Sequence, residues 1–131
     1  MSATFRKQER MVSRKLMEML FGGGSSHSMA AFPLRAVYAV ADRGEGDAPV
    51  QLLVSVSKRR FKHAVDRNRV KRQIREAYRL HKALLIPSVP EGQQLLVALV
   101  WLSDRHVPTA DVERRVVGLL HRIAEKLSPV S

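Results

Sequence analysis

Cysteine is absent from the 131 residues, which excludes disulfide bonds and thiolate metal sites. A chain without disulfides is typical of a reducing compartment, so we expect a cytoplasmic protein. Long hydrophobic runs are also missing. The longest, Leu95 to Leu102, is far shorter than the ~20 apolar residues that cross a bilayer. The length suits one domain, and we expect a single domain over residues 1–131 with no membrane span.

Acidic residues are scarce, with 12 Asp and Glu against 23 Lys and Arg and a formal net charge of +11. This excess favours a polyanionic partner, nucleic acid before an anionic membrane. A stand-alone metal-dependent nuclease would need carboxylates clustered around two metal ions. Turn formation and helix capping explain the available acids better. These acids are Asp42, Glu45, Asp47, Asp104, Asp111 and Glu113.

The five histidines show no metal-ligand spacing either. We therefore predict no catalytic residue and no metal site within the protein itself.

The hydrophobic pattern predicts an α+β sandwich with the element order α-β-β-α-β-α. Ser13 is the expected N-cap of the first helix, and the segment "GGGSS" at 22–26 is expected to be a linker. The first two strands, joined by a polar turn, are expected to pair antiparallel. The predicted helices cover about 13–21, 67–85 and 109–127, and the predicted strands cover 32–40, 50–57 and 93–102.

The helix predicted at 67–85 has two chemically different faces. At about 100° per residue, one face is apolar and the other polar and basic. Asp66 is the expected cap and Pro87 the expected stop. The apolar face holds Val70, Ile74, Ala77, Tyr78, His81, Leu84 and Leu85, and the basic face holds Asn68, Lys71, Arg72, Arg75, Arg79 and Lys82.

Most of the net charge is concentrated around this helix. Between Lys58 and Lys82 there are eleven Lys or Arg residues and only two acids. An ordinary solvated helix would pair Glu with Lys at four-residue spacing, and a membrane-surface helix would carry bulkier apolar residues. Arginine outnumbers lysine here, which suits forked contacts to phosphate. The absence of a helix-turn-helix pattern favours structured RNA over DNA.

At "SVSKRRFKHAVDRNRVKRQIREAYR" the sequence resembles the protein subunit of bacterial ribonuclease P (RNase P). That family carries an Arg-Asn-Arg motif at the start of a long helix, followed by an apolar residue, Lys-Arg and Arg-Glu-Ala-aromatic. Residues 67–72 and 75–78 match this pattern, as does the strand end at 55–59. The segment "ERMVSRKLMEMLFGGG" resembles the family's first helix.

The resemblance implies a fold related to a ribosomal-protein domain, with a left-handed crossover. It also implies a role: the protein component of a ribonucleoprotein endonuclease, in which an RNA with bound Mg²⁺ removes the 5′ leader of precursor tRNA. The protein would bind the catalytic RNA and the leader, and would hold no cofactor of its own. A ribosomal-type RNA-binding protein is the alternative. The residues implied to bind RNA are Lys58, Arg59, Arg60, Arg67, Asn68, Arg69, Lys71, Arg72, Arg75 and Arg79.

In the family the leader lies in a cleft between the sheet and the first helix, where many relatives carry two aromatics four residues apart. Met17 and Phe21 occupy the corresponding positions, so one aromatic is missing. Phe32 and Tyr38 on the first predicted strand are further cleft candidates, although strand aromatics are often core residues. Phe61 departs from the family's shorter, glycine-containing loop, which leaves the shape of that loop open.

Overall fold

A computed structural model describes residues 7–22 and 24–127, which form three helices and a four-stranded sheet. Every predicted helix and strand is present, but the element order contains one strand more than predicted. Short 3₁₀ turns lie at Lys7–Glu9, Lys82–Leu84 and Ile86–Ser88. The helices and strands are α1 (Arg14–Gly22), β1 (His27–Ala31), β2 (Leu34–Asp42), β3 (Val50–Ser55), α2 (Ala64–His81), β4 (Gln93–Trp101) and α3 (Thr109–Leu127).

The additional strand is β1, which lies at the edge of the sheet and pairs antiparallel with β2. Met29 and Ala31 are half-buried against the larger core cluster, but three apolar residues follow one another in this strand. The sequence therefore lacks the alternation of apolar and polar residues that marks a half-buried strand. Phe32 lies in the turn between β1 and β2, with a cis bond to Pro33. The prediction that Phe32 begins a strand is therefore wrong, and part of the predicted linker leads directly into β1.

The strand order is β1-β2-β4-β3, so the predicted antiparallel pairing of the strands at 32–40 and 50–57 is wrong. Instead, β4 lies between them, antiparallel to β2 and parallel to β3. The reason is burial: residues Gln94 to Leu99 of β4 are all buried, and such an apolar strand is stable in the interior of a sheet. Helix α2 forms the crossover from β3 to β4, and its left-handed sense stays a prediction from the resemblance.

The sheet separates two hydrophobic clusters. Leu34, Ala36 and Tyr38 of β2 point to the face covered by α2 and α3. Val37 and Ala39, which alternate with them, point to the face covered by α1. Side chains alternate along a strand, so neighbouring residues of β2 serve opposite layers. The α+β sandwich is confirmed, with α2 and α3 on one face and α1 on the other.

The ends of α2 differ from the prediction. The helix begins at Ala64, and its N-cap, His63, makes no side-chain capping bond. Asp66 is not the cap: it lies in the first turn, where its Oδ1 is 3.0 Å from Nε2 of His106. The helix ends at His81, before Pro87, and the chain continues in two 3₁₀ turns. At the start of α1, by contrast, the Ser13 hydroxyl accepts a bond from the Leu16 amide at 3.3 Å, as expected for an N-cap.

Candidate nucleic-acid interface

Between Ala64 and His81 the exposure pattern confirms the predicted separation of the two faces of α2. Beyond the helix end the prediction is wrong, because Leu84 is exposed and the Lys82 side chain is largely buried. Val70, Ile74, Ala77 and Tyr78 are buried against the sheet and α3. The basic face is accessible to solvent: Asn68, Arg69 and Arg72 are exposed, and Lys71, Arg75 and Arg79 are half-buried. Because burial of the apolar face fixes the rotation of the helix, the cations must point away from the core.

Part of this face forms a shallow depression of about 440 Å³, which we call the arginine cup. Burial lowers the pKa of Arg75 from its ordinary value, and the positive charge of Arg10 lowers it further. The cup therefore brings guanidinium groups close together. Its lining consists of Arg10, Asn68, Arg72, Arg75, Glu76 and Arg79.

The sequence pattern gives no indication of a role for Arg10, because this residue lies far from the motif along the chain. The tertiary structure places it beside α2. Arg10 forms an isolated parallel bridge with Leu52 of β3, and the Met11 amide donates to the Leu52 carbonyl at 3.0 Å. Just before it, Glu9 accepts a bond from Nζ of Lys82 at 2.6 Å.

Arg67 has a contact that the motif did not predict. Its Nη1 donates to the carbonyl oxygens of Phe61 and Lys62, at 2.8 and 2.9 Å. Phe61 is buried in the core, and its ring stacks on His106 with 4.7 Å between centroids. Buried Phe61 and the two bonds from Arg67 thus anchor the C-terminal end of the loop between β3 and α2. Lys58, Arg59 and Arg60 lie exposed in the turn that precedes this anchor.

Arg79 forms an ion pair with Glu76, one helical turn earlier. Its Nε donates to Oε2 of Glu76 at 3.0 Å, and its Nη2 bonds the other carboxylate oxygen. This hydrogen bonding, reinforced by the opposite charge, lowers the pKa of Glu76 and raises that of Arg79. Toward α3, Arg69 and Arg72 line a second, smaller depression that includes Gln73 and Thr109.

The four cleft candidates do not lie together. Met17 is half-buried against the cluster under α1, whereas Phe21 at the end of that helix is 52% exposed. Phe32, in the β1–β2 turn, is 67% exposed. Tyr38 is 5% exposed and belongs to the cluster under α2 and α3, so it cannot share a cleft with α1. The prediction for Tyr38 is wrong because the strand alternation turns its ring to the opposite face.

A groove of about 570 Å³ does lie beside α1, at the edge of the sheet near β3. The side chains that line it differ from the predicted four, and Arg10 belongs both to this groove and to the arginine cup. Its lining includes Lys7, Gln8, Arg10, Leu16, Gln51 and Gln94.

Two further properties concern only residues 7–22 and 24–127. Within these ranges, no group of three or more His, Asp or Glu side chains is arranged to hold a metal ion. None of the helices described there combines the length and apolar character of a membrane span.

An α+β domain that buries one face of a helix and presents arginines on the other has the arrangement typical of nucleic-acid-binding proteins. The family model described as Ribonuclease P matches residues 5–124. The chain belongs to the ribonuclease P protein family, which confirms the resemblance seen in the motif.

Relatives agree with this assignment, and solved structures agree with the fold. The chain is 42% identical to the ribonuclease P protein component of Porphyromonas gingivalis over 119 residues, 90% of this chain and 85% of that protein. It is 33% identical to that of Chlorobium phaeobacteroides, covering 92% and 88% of the two chains. The RNase P protein of Thermotoga maritima shares the fold at a TM-score of 0.61 and 23% identity, over 88% and 97% of the chains. That of Staphylococcus aureus has a TM-score of 0.63 and 20% identity, over 89% and 95%.

Proposed function

We propose that this protein uses the basic face of α2 to bind the catalytic RNA of ribonuclease P, and that the RNA removes the 5′ leader from precursor tRNA. One observation carries the proposal: α2 is held by its buried apolar face, so its arginines form a preoriented surface. In this proposal the reaction takes place in the cytoplasm, and the Mg²⁺ ions that it requires belong to the RNA-containing holoenzyme.

The side chains of this face suit an RNA backbone. A guanidinium group donates two parallel hydrogen bonds to phosphate oxygens and keeps its charge at any physiological pH. Asn68 adds an amide that donates and accepts, which suits a sugar or base edge. Arg69, Lys71 and Arg72 are spread around the polar side of the helix, so they would reach phosphates on different parts of the RNA.

The loop before α2 extends the proposed contact. Lys58, Arg59 and Arg60 are exposed in a turn whose position is set by buried Phe61. Arg67 holds the carbonyls at the end of the loop with one nitrogen. In this proposal its remaining donors, Nε and Nη2, contact RNA. We assign Arg67 a positioning role in addition to the phosphate contact that the motif predicts.

For the leader, exposed aromatics are the best candidates among the predicted residues. Stacking a base on an aromatic ring contributes ~1–3 kcal/mol and tolerates any base. Phe21 presents half of its surface to solvent at the end of α1, beside half-buried Met17. We propose that Phe21 and Phe32 are available to unpaired leader bases, with a smaller contribution from Met17.

The test is cleavage of precursor tRNA at low Mg²⁺ by the catalytic RNA alone, the protein alone and both together. We expect cleavage at the mature 5′ end to be accelerated only in the mixture. Mature tRNA, which has no leader, serves as the binding control. The proposal fails if the protein does not change cleavage by the RNA, or if RNA-free protein cleaves by itself and loses that activity on Asp42→Asn substitution.

A further inference from the structure

We propose that the arginine cup is a discrete phosphate-binding site for the RNA backbone, and that Arg10 from the N-terminal segment completes it. This inference rests on the proposed function of the same surface. It goes further by adding a residue from outside the motif and by assigning one ligand group, a phosphodiester, to one depression. The remaining cations of α2 would make more dispersed contacts.

The geometry supports an anion at this position. Asn68, Arg72, Arg75 and Arg79 follow one another at spacings of three or four residues and form a single stripe along α2. Arg10 approaches the same depression from another element. A phosphate in the cup would therefore meet donors from two directions, whereas a solvated helix face offers them from one.

The charge balance in the cup also favours an anion. Arg10 lies close enough to Arg75 for its charge to lower the pKa of that guanidinium, in addition to the effect of burial. Both guanidinium groups carry positive charge, so an anion bound next to them would be attracted by both. Among the described residues that line the cup, four carry guanidinium groups and one, Glu76, carries a carboxylate.

The position of Arg10 is fixed by neighbouring contacts. Glu9 forms an ion pair with Lys82, and both side chains are largely buried, at 11% and 16% exposure. The Met11 amide bonds the Leu52 carbonyl on the other side. Arg10 is thus held between two anchors, and Glu9 acts as a positioning residue for the site.

The binding experiment compares Arg10→Gln with Arg115→Gln. Arg115 is an exposed arginine on α3 outside the cup, so both variants lose one positive charge. Affinity for the catalytic RNA is measured over a range of salt concentrations. We expect Arg10→Gln to weaken binding about fivefold and to make the slope of log affinity against log salt shallower by about 0.7–0.9. Arg115→Gln should leave both values close to those of the unaltered protein.

Glu9→Gln provides a second test of the arrangement. This variant loses one negative charge, so the net charge of the protein becomes more positive and simple electrostatic attraction predicts tighter RNA binding. The proposal predicts weaker RNA binding, because Arg10 loses its anchor. Circular dichroism should show that the fold persists.

The cup is also tested without RNA, by titrating inorganic phosphate at constant ionic strength and following the Nε–Hε resonances of Arg10 and Arg75. Both resonances should shift, and Arg10→Gln should reduce the shift of Arg75.

The outcomes separate the inference from the proposed function. If the unaltered protein fails to bind the catalytic RNA, the proposed function fails. The phosphate titration then shows by itself whether the arginine cup binds phosphate. If the RNA binds but Arg10→Gln and Arg115→Gln behave alike, the cup is not a backbone site. Tighter binding by Glu9→Gln contradicts the positioning role, and the absence of phosphate-induced shifts contradicts the site itself.

Discussion

Replacing Ile74 by alanine should destabilise the protein without weakening the RNA contact of the molecules that stay folded. Ile74 is fully buried on the apolar face of α2, within the larger core cluster. Truncating a buried isoleucine costs ~2–5 kcal/mol, because apolar contacts are lost and a cavity remains. Against a typical unfolding free energy of ~5–15 kcal/mol, most molecules should remain folded.

The measurement is urea unfolding followed by circular dichroism. With a denaturant dependence of ~1–3 kcal/mol per molar urea, a loss of ~3 kcal/mol lowers the midpoint by about 1–3 M. Leu80→Ala is the matched control, because Leu80 lies on the same helix but is 49% exposed. Its unfolding free energy should change by less than about 0.5 kcal/mol.

Arg72→Ala should show the opposite behaviour to Ile74→Ala. Arg72 is exposed and lines the cup, so its loss should weaken RNA binding while the urea midpoint stays nearly constant. RNA affinity is measured for each variant in the absence of urea and corrected for the folded fraction. The reasoning is refuted if Arg72→Ala lowers the midpoint as strongly as expected for Ile74→Ala while Ile74→Ala leaves it unchanged. That result would mean that the helix presents a different face to the core.

Three further predictions address the loop, the ion pair and the leader. Arg67→Gln should speed amide hydrogen exchange across 58–63, because the carbonyls of that loop lose their charged donor; unchanged exchange would show that Arg67 does not hold the loop. The Glu76 carboxyl should titrate below its ordinary pKa in NMR. Its pair with Arg79 therefore stabilises the folded protein at neutral pH, and this contribution is lost as the pH falls through the lowered pKa. Arg79→Gln should return the pKa toward normal, and an unaltered titration would contradict the pair. Phe21→Ala should weaken precursor tRNA binding in the holoenzyme by ~1–3 kcal/mol and spare mature tRNA; equal losses for both would place Phe21 outside the leader contact.

Local patterns were sufficient for much of the fold. The apolar spacing of α2 and α3 and the continuous apolar run of β4 predicted these elements, because each carries its period within a few turns or residues. The same spacing separated the basic and apolar faces of α2, and the motif from Arg67 to Tyr78 indicated the family. The edge strand β1 was missed because apolar and polar residues do not alternate along its five positions.

The remaining features depend on contacts between distant segments. Which strands flank β4 depends on the burial of both of its faces. Which face of β2 packs against α1 also depends on the tertiary structure, and Tyr38 lies on the other face. Arg67 reaches loop carbonyls that become neighbours only when Phe61 enters the core.

By itself, the sequence determined a basic α+β domain of the ribonuclease P protein family with its cations on one face of α2. Both the charge and the helical period are properties of a short segment, so they can be read without knowing its neighbours. The tertiary structure alone decided that Arg10 stands beside Arg75. That proximity depends on pairing the N-terminal segment with β3 and on the ion pair between Glu9 and Lys82. Interactions across such sequence separations form only in the folded chain and leave no periodic trace in the residues between them.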